Sequence, residues 1–138
     1  MLVAPPAVLI TDDDRAWRET LGEAFGPPLF RSILAADGEE AVEIVRRQRI
    51  DLVLLDMHMP RLTGLETIRQ VRFFRAELPC ILISGGLDDR IRQDALAVRA
   101  YSVLAKPIRL IELRRAVHKA LRDVYDWPGE FGLHADTT

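Results

Sequence analysis

Asp51-Leu52-Val53-Leu54-Leu55-Asp56-Met57-His58-Met59-Pro60 sets four apolar residues in an unbroken run between two aspartates. A strand with one wet face would alternate apolar and polar positions. A strand covered on both faces is apolar throughout, as in a parallel sheet. The run ends on a carboxylate, Asp56, and Pro60 then marks a loop.

Working outward, Ile81-Leu82-Ile83 has the same continuous character, and Val8-Leu9-Ile10 and Ser102 to Ala105 supply further short runs. The stretch Leu29 to Leu34 mixes in Arg31 and Ser32, as an edge strand does. Between the runs lie stripes with helical spacing. Trp17, Leu21 and Phe25 form the first, Ala41, Ile44 and Val45 the second, and Leu65, Ile68 and Val71 the third. Leu87, Ile91 and Ala95 make a thinner fourth, and Leu110, Leu113, Val117, Leu121 and Val124 a long fifth. Spacing of i, i+3, i+4 is that of helices with one face on a core. Strand–helix alternation predicts an α/β domain around a parallel sheet. Right-handed crossovers then put helices on both faces. Ligands of such sheets bind beyond the carboxyl ends of the strands.

Bulk properties narrow the function classes. The 138 residues suit one domain, and 49% of them are hydrophobic, enough for a sizeable core. A formal net charge of -2 offers no basic excess for phosphate backbones or anionic bilayers. Cys80 is the lone cysteine and is expected to be a small buried hydrophobe. No apolar run approaches the roughly 20 residues that span a bilayer. A cytoplasmic protein is expected. Residues 125–138, with Pro128-Gly129, read as a tail after the last helix. Its Trp127, Phe131 and Leu133 could cap the domain, bind a partner or belong to a disordered end.

Reactive residues stand at four strand ends: Thr11-Asp12-Asp13-Asp14, then Asp56, then Ser84-Gly85-Gly86, then Lys106-Pro107. Clustered carboxylates repel and call for a counter-charge. A hard divalent cation with oxygen ligands supplies it, and Mg²⁺ commonly takes one or two carboxylates plus phosphate oxygens. One carboxylate can then attack phosphorus, while Lys106 and the Ser84 hydroxyl hold phosphoryl oxygens. Each residue also has a plainer reading. Asp14 suits the N-cap of the first helix, Ser84 a turn hydroxyl, Lys106 a surface lysine, and Pro107 the first residue of the last helix.

Four motifs in order resemble the response-regulator receiver domain of two-component signalling systems, across roughly residues 7 to 124. They are Val8-Leu9-Ile10-Thr11-Asp12-Asp13-Asp14, then Asp51 to Pro60 followed by Gly64, then Ile81-Leu82-Ile83-Ser84-Gly85, then Leu104-Ala105-Lys106-Pro107. The resemblance implies a flavodoxin-like three-layer sandwich: a five-stranded parallel sheet of order 2-1-3-4-5 with five helices. Residues 1–124 would be the receiver domain, with no effector domain in 125–138. Asp56 would accept the phosphoryl group from a histidine kinase or phosphotransfer protein. Mg²⁺ (or Mn²⁺) would be held by Asp13, Asp56 and the His58 backbone carbonyl, with Asp12 acting through water. Ser84 and Lys106 would bind the phosphoryl group. A cis bond between Lys106 and Pro107 is implied in the same way. The chain would be a signalling switch or phosphorelay carrier that catalyses only its own phosphotransfer and dephosphorylation. It would bind an unknown downstream protein, but neither nucleic acid nor membrane. A homodimer would use the face of the fourth helix, fifth strand and fifth helix. Arg90, Arg92, Arg109, Arg114 and Arg115 lie near that face, as a docking surface or an ordinary solvated one.

The sequence departs from the family at Val103, where an aromatic residue is usual three positions before the lysine. Tyr101 is expected on the same face of the strand, about 7 Å away, as a substitute switch aromatic. Arg99 stands where the family often has glycine, which puts the local turn in question. Gly85-Gly86 should leave the loop after Ser84 loose. Three other functions compete. A scaffold receiver would not need the intact Asp13, Asp56, Ser84 and Lys106. A haloacid-dehalogenase-type phosphatase wants a second acid where His58 stands. A flavodoxin-like FMN binder wants a Ser/Thr/Gly-rich loop where three aspartates follow the first strand.

Overall fold

The structure, a computed structural model, describes residue 2 and residues 4–129. Phe131 and Leu133 lie outside the described residues. Strands and helices alternate throughout: β1 Ala7–Thr11, α1 Arg15–Ala24, β2 Arg31–Ala35, α2 Gly38–Arg47, β3 Leu52–Asp56, α3 Gly64–Phe74, β4 Cys80–Ser84, α4 Asp89–Ala97, β5 Ser102–Ala105 and α5 Leu110–Tyr125. The strands form one parallel sheet in the order β2-β1-β3-β4-β5, as the resemblance implied.

The sheet divides the core in two. Leu9, Val53, Leu55 and Leu82 face α2, α3 and α4 and pack with Ala41, Val45, Ile68 and Val71. Val8, Ile10, Leu52, Leu54, Ile81 and Ile83 face α1 and α5 and pack with Leu21, Leu113, Val117 and Leu121. Successive side chains of a strand point to opposite faces, so a strand between two helical layers must be apolar at every position. The Asp51 to Asp56 run has that pattern for this reason. Cys80 is fully buried in the first cluster; burial pushes its thiol up to about 11.

Side-chain caps set the helix starts. Asp14 accepts from the Trp17 amide at 3.2 Å, as expected, and Asp37 from the Glu40 amide at 2.8 Å. Thr63 and Glu66 form a reciprocal capping box on α3. Several boundaries differ from the sequence reading. Leu29 and Phe30 lie outside β2; Phe30 instead turns into the α1–α5 cluster, where it meets Phe25 edge-on at 5.3 Å. Leu87 precedes the Asp88 cap of α4, leaving Ala95 as that helix's buried residue. Leu110 and Val124 are 37% and 41% exposed, so the α5 stripe is shorter than its period suggests. Pro107 does not open α5, which begins at Leu110 after an Arg109 N-cap; the Lys106–Pro107 bond is cis. Trp127 caps the domain: it is 8% exposed and lies against Phe30 and His118, with ring centroids at 5.4 and 5.0 Å.

Arg72 joins three segments at the far end of the sheet from the strand carboxyl ends. Its guanidinium donates to the carbonyls of Val98, Arg75, Leu78 and Arg99 at 3.2, 3.1, 2.8 and 2.8 Å. Arg99 there takes the left-handed conformation, φ 60°, that glycine would favour. Replacing Arg72 by alanine removes a charged donor from all four carbonyls. Urea denaturation should show a loss of about 2 kcal/mol.

Candidate functional site

The parallel register brings the four strand ends to one edge. Thr11 pairs with Leu55, Asp56 with Ile83, and Ser84 with Ala105. Asp12 and Asp13 follow β1, Asp56 closes β3, Ser84 closes β4, and Lys106 follows β5. Asp12, Asp56 and Ser84 are 4%, 5% and 0% exposed, while Asp13 is exposed. Asp12, Asp13 and Asp56 each offer a carboxylate oxygen, and these lie within 4.8 Å of one another. Lys106 Nζ is 2.9 Å from Asp56 Oδ1, at ion-pair distance.

The surrounding backbone braces this group. Asp12 Oδ1 accepts from the Asp14 amide at 2.8 Å, and Arg18 Nη1 donates to the Asp12 carbonyl at 2.7 Å. The Lys106 amide donates to the Ser84 carbonyl, and the Met57 amide to that of Ile83, at 2.9 and 2.8 Å. The Ser84 hydroxyl is buried without a hydrogen-bond partner. An unsatisfied buried hydroxyl costs about 1–3 kcal/mol, a cost that an incoming oxygen-rich group would remove.

Charge crowding shows in the titration of the site. Burial is the main reason the Asp12 carboxyl titrates above its ordinary range; the Asp14 amide opposes the shift, and the charges of Asp56 and Asp13 add to it. Burial disfavours the Lys106 charge, but the hydrogen bond and attraction to Asp56, then Asp12 and Asp13, outweigh it and raise that pKa. An acid whose pKa is raised on folding weakens the fold as pH rises past its ordinary value. Asp12→Asn keeps the acceptor for Asp14 and removes the charge. It should stabilise the metal-free protein by about 1 kcal/mol at neutral pH, read as a higher thermal midpoint; a lower midpoint would contradict this.

A hard divalent cation fits the donor set, three carboxylates whose oxygens lie within 4.8 Å of one another. His58 lies in the β3–α3 loop with its side chain exposed. Gly86 borders open space, a Cβ there meeting nothing within 4 Å.

Tyr101 differs from expectation. It packs with the α1–α5 cluster, whereas Val103 packs with the opposite one, so the two do not share a face. Tyr101 precedes β5, outside the strand's alternation, and its hydroxyl bonds Asp123 and Lys119 of α5 at 2.5 and 3.2 Å. Arg114 also leaves the face assigned to it: it donates to the Ala24 carbonyl at 3.0 Å and lies over the Phe30 ring.

The sequence reading missed Trp17 and Arg61. Trp17 packs against the α1–α5 cluster, as its stripe predicts, and it also lines a cleft with Asp12, Asp14, Lys106, Pro107 and Ile108. Its place in the first turn after the acidic run was the available signal. Arg61 carried none, since its partners are 22 and 24 residues away.

Comparison with known proteins agrees with this geometry. The family model for the response regulator receiver domain matches residues 8–118. Response regulator MprA of Mycolicibacterium vanbaalenii is 37% identical over 118 residues, 86% of this chain and 51% of that protein. MprA of Mycobacterium leprae is 39% identical over 115 residues, 83% of this chain and 50% of that one. The chain thus spans about half the length of these relatives. Among solved structures, the Vibrio cholerae chemotaxis protein CheY4 superposes with a TM-score of 0.82 at 27% identity, covering 86% of this chain and all of that one. A response regulator receiver protein from Pseudomonas putida gives 0.79 at 32%, covering 86% and 99%. With the family model matched over residues 8–118, which run from β1 into α5, the chain belongs to the response regulator receiver domain family.

Proposed function

We propose that this receiver domain is a phosphorylation-activated signalling switch whose acceptor is Asp56. One observation carries the reading: a nearly buried carboxylate at a strand end meets a lysine at 2.9 Å and two further carboxylates within 4.8 Å. The donor is a phosphohistidine on a histidine kinase or phosphotransfer protein. An Asp56 oxygen forms the new bond to phosphorus as the phosphorus–nitrogen bond of the donor breaks, and the imidazole leaves. Lys106 offsets the charge that builds on the phosphoryl oxygens, and the Ser84 hydroxyl donates to one of them. Asp13, Asp56 and the His58 carbonyl would hold Mg²⁺ or Mn²⁺, with Asp12 acting through water. When bound, the cation supplies charge neutralisation and orients the phosphoryl oxygens.

The protein's chemistry is confined to its own phosphorylation and dephosphorylation. Its output is protein–protein contact in the cytoplasm, with no direct contact to nucleic acid or membrane. Among the described residues no helix is long and apolar enough to cross a membrane. The face of α4, β5 and α5 serves as the docking or homodimer surface. Leu96 and Ile111, 71% and 49% exposed, support that assignment. Tyr101 takes part through its hydrogen bonds to Asp123 and Lys119 on α5. The receiver domain takes in all five strands and helices, and its packing reaches Trp127 in the α1–α5 cluster.

Phosphoramidate, a small donor with a phosphorus–nitrogen bond, gives a direct test. Intact mass should rise by one phosphoryl group with Mg²⁺ present and remain unchanged with a chelator. Equal incorporation under both conditions would refute the metal-assisted reading.

A further inference from the structure

Arg61 lies in the loop between Asp56 and α3, with φ 68°. A side chain other than glycine rarely adopts this left-handed conformation, because its Cβ crowds the following carbonyl. Such a conformation persists where something else holds it. Here the guanidinium reaches across to the start of α2. Nη2 is 2.5 Å from Asp37 Oδ2, and Nε is 3.1 Å from Glu39 Oε1. Asp37 is itself fixed, because it caps α2 by accepting from Glu40.

The same junction is closely packed. A Cβ on Gly38 would collide with the Thr67 hydroxyl and come within 3.0 Å of Leu62 Cβ. The loop closes on itself through Leu62 N–H to the Pro60 carbonyl at 2.8 Å and Gly64 N–H to the Met57 carbonyl at 2.9 Å. His58 sits inside this closed segment, three residues before Arg61.

We propose that Arg61 is a positioning residue for phosphotransfer: its two ion pairs moor the loop that carries the His58 carbonyl to the capped end of α2, so that this carbonyl is already in place for the divalent cation. The inference rests on the reading of the site as a cation-assisted phosphoacceptor. Arg61 and Glu39 are largely exposed, and Asp37 is half-buried. Exposed pairs add little to global stability, so the role concerns loop geometry rather than the fold. Groups that orient metal ligands commonly change affinity 10- to 100-fold when removed.

Arg61→Gly removes both ion pairs and accepts the left-handed conformation, but it also frees the backbone. Its result is therefore read beside Asp37→Asn, which leaves the backbone unchanged. Asp37→Asn removes the charged partner of one pair while still capping α2. Mg²⁺ affinity is measured by calorimetry with no phosphodonor, and hydrogen exchange follows residues 57–64 in the metal-free protein. Both variants should bind Mg²⁺ about tenfold more weakly and exchange the Leu62 and Gly64 amides faster, with melting temperatures within about 3 °C of the unsubstituted protein. Arg61→Lys, which keeps the charge without the planar fork, should restore part of the affinity. The double variant should bind no more weakly than Arg61→Gly alone, since that substitution already removes both pairs. Unchanged affinity and exchange in Arg61→Gly would overturn the proposal. If the unsubstituted protein binds no Mg²⁺, the site reading fails instead, and the exchange comparison alone decides the role of Arg61.

Discussion

Lys106→Met will slow phosphoryl incorporation by about 100-fold or more while leaving a folded protein. The lysine is the one cation at ion-pair distance from Asp56 among the described residues. A preorganised charge aimed at developing negative charge commonly accounts for 10²–10³ in rate. Methionine keeps the length and most of the apolar stem, so packing changes little. The fold itself should lose only about 1 kcal/mol, because Lys106 is 37% exposed and water screens the pair. The measurement is the initial rate of mass gain at fixed phosphodonor and Mg²⁺. A rate within threefold of the unsubstituted protein would contradict the assigned role.

The largest effect on stability is expected at Gly64. A Cβ there would lie 2.5 Å from Leu82 Cδ1, 2.7 Å from the Asp56 carbonyl oxygen and 3.0 Å from Met57 Cα. Leu82 could rotate, but the other two are backbone atoms of β3 and the loop that follows it. The Gly64 amide is also tied to the Met57 carbonyl at 2.9 Å. α3 must therefore move away from the sheet, opening the contacts of Leu65 and Ile68. Gly64→Ala should cost about 3 kcal/mol, at the upper end for overpacking. It should also impair phosphorylation, because the added Cβ presses on the carbonyl of Asp56 itself. An unchanged denaturation midpoint would show that the loop yields more readily than its contacts imply.

The sheet was legible because β1, β3 and β4 are buried on both faces, and that condition leaves a continuous apolar run in one dimension. The site was legible for a related reason. In a parallel sheet the residues that end successive strands meet without any long-range information, so Asp12, Asp13, Asp56, Ser84 and Lys106 could be grouped from their positions alone. What failed depended on tertiary contacts that no periodic pattern records. Phe30 leaves β2 because Phe25 and Trp127 offer it an aromatic pocket. Tyr101 lies just before the strand, where alternation does not apply, and it follows Asp123 and Lys119 rather than Val103. Leu110 and Val124 continue the α5 period, yet they stay 37% and 41% exposed. Trp17 does pack on the core as its spacing indicates, but that spacing did not show that it also lines the cleft.

The central claim is that Asp56, and no other residue, becomes phosphorylated. Borohydride converts an aspartyl phosphate to homoserine, so reduction followed by peptide mapping reads the modified position directly. After incubation with acetyl phosphate and Mg²⁺, homoserine should be found at position 56, with none formed in Asp56→Asn. Phosphate on another residue, such as His58, or incorporation that persists in Asp56→Asn, would contradict the account.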